Sequence, residues 1–295
     1  MSTEHPAIIS RRQFLLTAAL AGAGALCPWS SALSQEASEA AKPSFPWEGE
    51  ELYYKAKIRG SEAAQAVLRL GQLRLLKGKT PYVPLSVTIK SVGLFHSVYP
   101  MHDRADTFIH AETLQPLRSE KIIQEAGKER IYKVDYKVSE YAAHVEQIRD
   151  KKPRTYITAV PNTIHDAFTW FLHLRRRTDL AQGARFDYYV YDGWKLSRVG
   201  LHVIGEERVL TPMGWFKAWK MEIEREVLRS AFDMAKPREG ERAEEKPPIL
   251  KTLTPGEHVG WIWLSQDEHR LPVKIYMEAP IGSGEILLAR HVEAK

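Results

Sequence analysis

The stretch WKMEIEREV, residues 219–227, alternates residue by residue. Trp219, Met221, Ile223 and Val227 fall on one side. Lys220, Glu222, Glu224 and Glu226 fall on the other, and Arg225 is the one break. A period of two marks a half-buried β-strand, because successive side chains leave a strand on opposite faces. The same period runs through IYKVDYK (131–137), where Tyr132, Val134 and Tyr136 oppose Lys133, Asp135 and Lys137. It returns in LPVKIYM (271–277) with Leu271, Val273, Ile275 and Met277. Turn-forming segments separate such runs: GKTP (78–81), ETLQP (112–116), AGK (126–128), DG (192–193) and PIGSG (280–284). The spacing predicts roughly ten to twelve antiparallel strands in one mainly β domain, spanning residues 47–293.

Two segments depart from simple alternation. In VLRLGQLRLL (67–76) the apolar phase flips at Gly71-Gln72, which predicts a β-bulge and a curved strand. PNTIHDAFTWFLHLRRR (161–177) reads as a helix over 163–177, with Thr163 and Asp166 as a capping-box-like start. Arg175, Arg176 and Arg177 sit at its end, where cations favour the helix dipole. Its apolar residues cover nearly the whole circumference, so it is expected inside a strongly curved sheet or open barrel. Residues 235–248 (AKPREGERAEEKPP) have no apolar face and read as a charged, solvated loop.

The N-terminus reads as an address. Arg11 and Arg12 precede an uncharged run from Phe14 to Leu26, shorter than the roughly 20 residues a membrane helix needs. Ala32-Leu33-Ser34 offers a cleavage site. SRRQFL (10–15) is similar to the bacterial twin-arginine export signal, with Leu16 where that signal often has Lys. Residues 1–34 are therefore expected to be a cleaved signal, 35–46 a flexible leader, and the mature chain periplasmic. Leu26 stands where a lipoprotein signal needs a small residue before its cysteine, here Cys27, which argues against lipidation. Cleavage after Ser34 would remove Cys27, the single cysteine, and with it any disulfide or thiolate chemistry.

The chain has 295 residues, 44% of them hydrophobic, and a formal charge of +5. Loss of the signal leaves about +4, mild enough to permit an anionic membrane surface without demanding one. The charges are interspersed, and no basic stripe with interleaved aromatics points to nucleic acid. No dinucleotide, P-loop, zincin or nucleophile-elbow motif is present, and no cofactor is expected.

Chemistry therefore rests on smaller features. His102, Asp103, Arg104 and Asp106 form a dense polar cluster, but His102 and Asp103, as neighbours on a strand, would face opposite ways. His165 and His173, eight apart on one helix, would lie about 12 Å apart, too far to share an ion. His96, His102 and His110 could meet only if a hairpin brought them together. SQDEHR (265–270) has the look of an exposed turn, and no metal site is expected. Phe168, Trp170 and Phe171 on the helix, with Trp261 and Trp263 on a strand, are candidates to line a cavity for an apolar ligand. Arg175, Arg176 and Arg177 are candidates to meet its anionic head group.

In order along the chain, YPMHDR (99–104), HAETLQPLRSEK (110–121), HDAFTWFLHLR (165–175), TPMGWFKAWKMEIE (211–224) and WLSQDEHRLPVKIYMEAPIGS (263–283) form a recognisable set. Together they resemble the exported bacterial family of domain-of-unknown-function 3108, from about Glu48 to Val292. The resemblance implies an envelope setting and brings no catalytic residues. It is similar in general look to periplasmic lipoprotein carriers, a fold-level analogy only. The expected role is a non-enzymatic periplasmic binding module for a hydrophobic or amphiphilic envelope ligand. A structural or assembly partner in the envelope is the alternative, and an envelope hydrolase the third.

Overall fold

Alternating runs become strands here because each can bury one face, and the arrangement of those faces is what the fold supplies. The computed structural model describes residues 45–230, 252, 254–278 and 283–294. The signal at 1–34 with Cys27, the leader up to residue 44 and the charged loop at 235–248 lie outside the described residues. In chain order the elements are β1 (Glu51–Ile58), β2 (Ser61–Leu70), β3 (Arg74–Leu76), β4 (Thr80–Ser91), α1 (Gly93–Val98) and β5 (His102–His110). Next come β6 (Pro116–Glu125), β7 (Lys128–Lys137), β8 (Ala142–Arg149), β9 (Lys152–Ala159), β10 (Ile164–His165) and α2 (Thr169–Arg176). The last are β11 (Arg185–Tyr191), β12 (Lys195–Thr211), β13 (Gly214–Ser230), β14 (Thr254–Ser265), β15 (Pro272–Met277) and β16 (Gly284–Val292).

All sixteen described strands belong to one sheet, ordered β10-β11-β12-β13-β14-β15-β16-β1-β2-β4-β5-β6-β7-β8-β9, with β3 on β4. Every pairing is antiparallel except β10 with β11. The first and last strands, β1 and β16, pair in the middle of the sheet. Sixteen strands exceed the expected ten to twelve for two reasons. Strands β3 and β10 are three and two residues long, too short to show a period. Other hairpins turn on residue pairs with positive φ that carry little turn signature, such as Asp150-Lys151 at φ 51° and 61°.

Three other expectations are corrected. The phase flip at Gly71 is a strand break: β2 ends at Leu70, and the Gly71 N–H donates to the Pro84 carbonyl at 2.8 Å. A Cβ at Gly71 would lie 2.6 Å from the Pro84 ring. Bulges, which bend strands, lie elsewhere, between β1 and β16, between β12 and β13, and between β13 and β14. The helix covers Thr169–Arg176 rather than 163–177, because Ile164 and His165 pair with Tyr189 and Val190 of β11 first. Phe45, placed in the flexible leader, is 5% exposed and packs edge-on against Trp47 at 5.6 Å.

Helix α2 lies in the concave face, as its apolar circumference requires. Trp170 and Leu174 join a cluster with Tyr188, Val199, Met221 and Ile262 of β11 to β14. Leu172 joins another with Leu70, Val83, Leu85 and Ile109 of β2, β4 and β5. Burying each of these large side chains stabilises the fold by roughly 1.5–3 kcal/mol.

The sheet curls until its two ends meet without closing the ladder. Val134, Tyr136, Val145 and Tyr156 from one end pack against Ile164, Tyr191 and Leu196 from the other. Side-chain hydroxyls then bind across the seam. Tyr136 donates to the Tyr191 carbonyl at 3.0 Å, and Tyr156 to the Gly193 carbonyl at 2.6 Å. Burial pushes the Tyr136 hydroxyl well above its ordinary pKa, so it remains a donor. Tyr136→Phe and Tyr156→Phe should each lower the unfolding free energy by about 1–3 kcal/mol, since a buried carbonyl loses its partner. Urea denaturation measures this, and two variants as stable as the parent would show that the seam is held by packing alone.

Candidate ligand-binding cavity

Entry into α2 is set by a reciprocal pair one turn later than expected. The Asp166 carboxylate accepts the N–H groups of Phe168 and Thr169 at 2.9 and 2.7 Å, and the Thr169 hydroxyl accepts the Asp166 N–H at 2.9 Å. The same carboxylate accepts the hydroxyl of Thr107 on β5, which ties the helix start to the sheet. The helix end is tied by charge. Arg175 is 2% exposed and forms a two-pronged ion pair with Glu50, at 2.5 and 2.8 Å. Its guanidinium also donates to the His269 carbonyl at 3.0 Å and lies 4.4 Å from the centre of the Trp47 ring. His291 Nε2 is 3.0 Å from Glu50 Oε1, the oxygen that also accepts from Arg175 Nη2.

Between these two ties, α2 does not fill the concavity. A cavity of about 400 Å³ remains between helix and sheet, within the size range of small-ligand pockets. Phe168, Trp170 and Phe171 line it from the helix side, with Phe171 stacked on Trp170 at 3.9 Å. Leu68, Val87, Ile89, Ile275 and Ile286 line it from the sheet. Met277, 43% exposed, marks where the lining meets solvent. Polar groups gather on β12, β13 and the turn before β12: Asp192, Lys195, Ser197 and Arg225. A second, larger cleft of about 650 Å³ runs over β6 to β9. Its charges pair with one another, Arg118 with Asp135 at 2.6 Å and Lys133 with Glu146 at 3.5 Å.

Of the aromatic residues singled out in the sequence, Phe168, Trp170 and Phe171 line this cavity, and Trp261 and Trp263 do not. Ile262 and Leu264 take the helix-facing side of β14. The alternation sends Trp261 and Trp263 to the other side, where Trp263 is 4% exposed among Val209, Ala218 and Leu271. Lys220 and Lys274 flank the Trp263 ring at 5.2 and 4.8 Å. The three arginines are likewise engaged. Arg175 is in the buried ion pair, Arg176 donates to the Glu112 carbonyl at 2.6 Å, and Arg177 pairs with Asp179 at 2.6 Å over the Phe186 ring.

The polar cluster on β5 splits across the strand. Arg104 and Asp106 pair at 2.6 Å, His102 is exposed, and Asp103 accepts the Gln124 N–H at 3.0 Å. Burial raises the Asp103 carboxyl above its ordinary pKa, yet no histidine partners it. His96 binds the Ser91 hydroxyl at 2.8 Å, and His110 accepts from its own turn at 3.3 Å. In the 265–270 turn, Asp267 accepts N–H groups of His269 and Arg270 at 3.1 and 3.0 Å. Among the described residues no three His, Cys, Asp or Glu side chains are placed to hold a metal ion.

His165 and His173 overturn the distance expected of them. Their rings are 4.9 Å apart, because His165 lies on β10 and the chain turns before α2 begins. Burial, with His173 beside it, lowers the His165 pKa to about 3. Glu50, Lys195 and Arg225 are the site residues that sequence reasoning missed. Arg225 carried a signal, the break in alternation; Glu50 carried none.

Two outcomes test this geometry. Glu50→Ala strands the Arg175 charge in the core and should cost about 3–5 kcal/mol of stability, read by thermal or urea unfolding; a cost below 1 kcal/mol would show that water replaces the carboxylate. His165 is neutral in the fold but protonates near its ordinary 6.5 once unfolded. Stability should therefore be full above pH 6.5 and fall as pH drops toward 3, by up to about 1.4 kcal/mol per unit for this group. His165→Phe should flatten the profile between pH 6.5 and 5, and an unchanged slope would assign the acid sensitivity to other groups.

The fold has relatives of known structure. A β-barrel-like protein of domain of unknown function DUF1849 from Brucella abortus aligns with a TM-score of 0.50 at 9% identity, covering 85% of this chain and 100% of its own. A protein with a YmcC-like fold from Bacteroides fragilis covers 84% of this chain and 98% of its own, at 12% identity and a TM-score of 0.30. At these identities only the first carries weight, and it speaks for the fold alone. No curated protein matches the sequence. The profile of the family described as protein of unknown function (DUF3108) matches residues 51–289, nearly the whole of the sheet, and the chain belongs to that family.

Proposed function

We propose that this protein binds a hydrophobic or amphiphilic molecule of the cell envelope and performs no reaction on it. The observation that carries the reading is the apolar cavity between α2 and the sheet. A sheet and helix of this size pack to near-crystalline density where nothing else must fit. Here aliphatic and aromatic side chains instead surround a space of about 400 Å³. Among the described residues no acid–base pair converges on that space: Glu50 is held by Arg175 and His291, and Asp192 accepts the N–H groups of Trp194 and Lys195. The twin-arginine-like start and the Ala32-Leu33-Ser34 site support a periplasmic location after cleavage near Ser34.

A second reading, an assembly partner in the envelope, is favoured by one feature. The tip of the β12–β13 hairpin exposes Leu210, Met213 and Trp215 at 57, 41 and 60%. Exposed apolar groups gathered at one place mark an interaction surface.

Protein purified from the periplasm should carry an extractable apolar molecule, seen by native mass spectrometry. The emptied protein should bind a fluorescent acyl probe. Ala66→Phe, which places a ring in the cavity, should weaken that binding at least about tenfold while leaving the melting temperature near the parent's. A protein that carries nothing and binds no probe would turn the assignment to the assembly reading.

A further inference from the structure

The lining of the cavity is not uniform, and its polarity rises in one direction. Along β12 and β13 the inward residues run from Val199 and Ile223 to Ser197 and Arg225, then to Lys195 and Asp192 at the turn before β12. Arg225 is the residue that breaks the alternation of β13. It is inward because Ile223 and Val227, two positions either side, share its face.

An inward cation in an apolar wall needs a partner. The cavity contains two arginines, and they differ. Arg175 spends its charge on Glu50. Arg225 donates its Nε to the Ser197 hydroxyl at 3.1 Å, and no carboxylate lies within ion-pair distance of it among the described residues. Glu257 stands opposite Arg225 in the β13–β14 register, but it is exposed and makes no ion pair with it. Lys195 likewise has no ion pair among the described residues, although it lines the same end. Among the described residues the one carboxylate that lines the cavity with the two cations is Asp192, and one of its oxygens accepts two backbone N–H groups, at 2.8 and 2.7 Å. Among the described residues the excess at this end is one positive charge, beside a guanidinium whose side-chain partner is the Ser197 hydroxyl.

We infer that the ligand is an amphiphile with an acidic head group, its chain among Phe168, Phe171, Leu68 and Ile286 and its acid held by Arg225 with Lys195. The inference rests on the binding role proposed above. A planar guanidinium matches a carboxylate or a phosphate with two parallel hydrogen bonds, which a neutral alcohol cannot return. The same end disfavours a cationic head group by like-charge repulsion.

The test is a series of ligands with one chain and different heads. Dodecanoic acid, dodecyl phosphate, dodecanol and dodecylammonium are titrated against the purified chain by displacement of a neutral polarity-sensitive dye. The parent should bind the acid or the phosphate about tenfold more tightly than the alcohol, and the ammonium least. The ratio between acid and phosphate separates a free acid from a phosphorylated head. Arg225→Gln should bring acid and alcohol to parity while dodecanol affinity stays at the parental level, which also certifies that the cavity is intact. Arg225→Lys should keep part of the preference, and Lys195→Gln should reduce it.

Equal binding of acid and alcohol by the parent, or tighter binding of the ammonium, would overturn the inference and leave the cavity as an unselective apolar site. A preference that survives in both Arg225→Gln and Lys195→Gln would overturn it as well. Failure of every ligand and of the dye to bind the parent would remove the binding role itself. If Arg225→Gln does not fold, the parental ligand series and Lys195→Gln still decide the matter.

Discussion

A long antiparallel sheet with one apolar face must put something against that face, and here the filler is a helix of eight residues. Strand after strand contributes inward residues, and curvature brings β2 to β5 within reach of β11 to β14 across the interior. Neither set packs directly onto the other over its whole length. Trp170 and Leu174 serve one side and Leu172 the other, so α2 acts as the shared core of two arms of a single sheet. The seam of tyrosine hydroxyls follows from the same curvature, because only a curled sheet brings β7 and β9 against the turn between β11 and β12.

A short helix with apolar residues on every side has no unique rotation against a greasy wall. Its two polar ties supply one. At the start, Asp166 binds both the helix backbone and Thr107 of β5. At the end, Arg175 reaches Glu50, just before β1, and the carbonyl of His269 in the β14–β15 turn. Removing a charge pair from water is expensive, and a well-packed apolar pair of the same volume is often as stable. What the ion pair adds is register, since Arg175 has only one place to satisfy its donors. The helix packs on both arms without filling the interior, and the cavity is the space left beside Phe168, Trp170 and Phe171.

The cavity in turn gives meaning to a residue that breaks the strand pattern. Arg225 interrupts an otherwise regular β13, and regular strands place cations outward. Local patterns fail most often where a site requires it. The cations at the end of α2 and just beyond it differ in this respect: Arg175, Arg176 and Arg177 each have a protein partner. Among the described residues, the cavity-lining cations without an ion pair, Lys195 and Arg225, are therefore on the sheet rather than at the helix end.

Strand identity, the mainly β class and the buried nature of the helix were legible in the sequence, because period and apolar coverage act over a few residues within one element. The family was legible for the same reason, through motifs carried by single strands and turns. Phe168, Trp170 and Phe171 could be placed at the cavity because a helix apolar all round must face the interior wherever it sits. Trp261 and Trp263 could not, since alternation says that two residues share a face and not which face is concave. The same limit hid the ion pair of Glu50 and Arg175, partners 125 residues apart. It also misplaced His165 and His173, which on one continuous helix would have been about 12 Å apart and are 4.9 Å apart once His165 joins β11. Sequence thus determined which residues turn inward or outward along each element. Only the tertiary structure decided what they turn toward, because that depends on contacts between segments that no local period records.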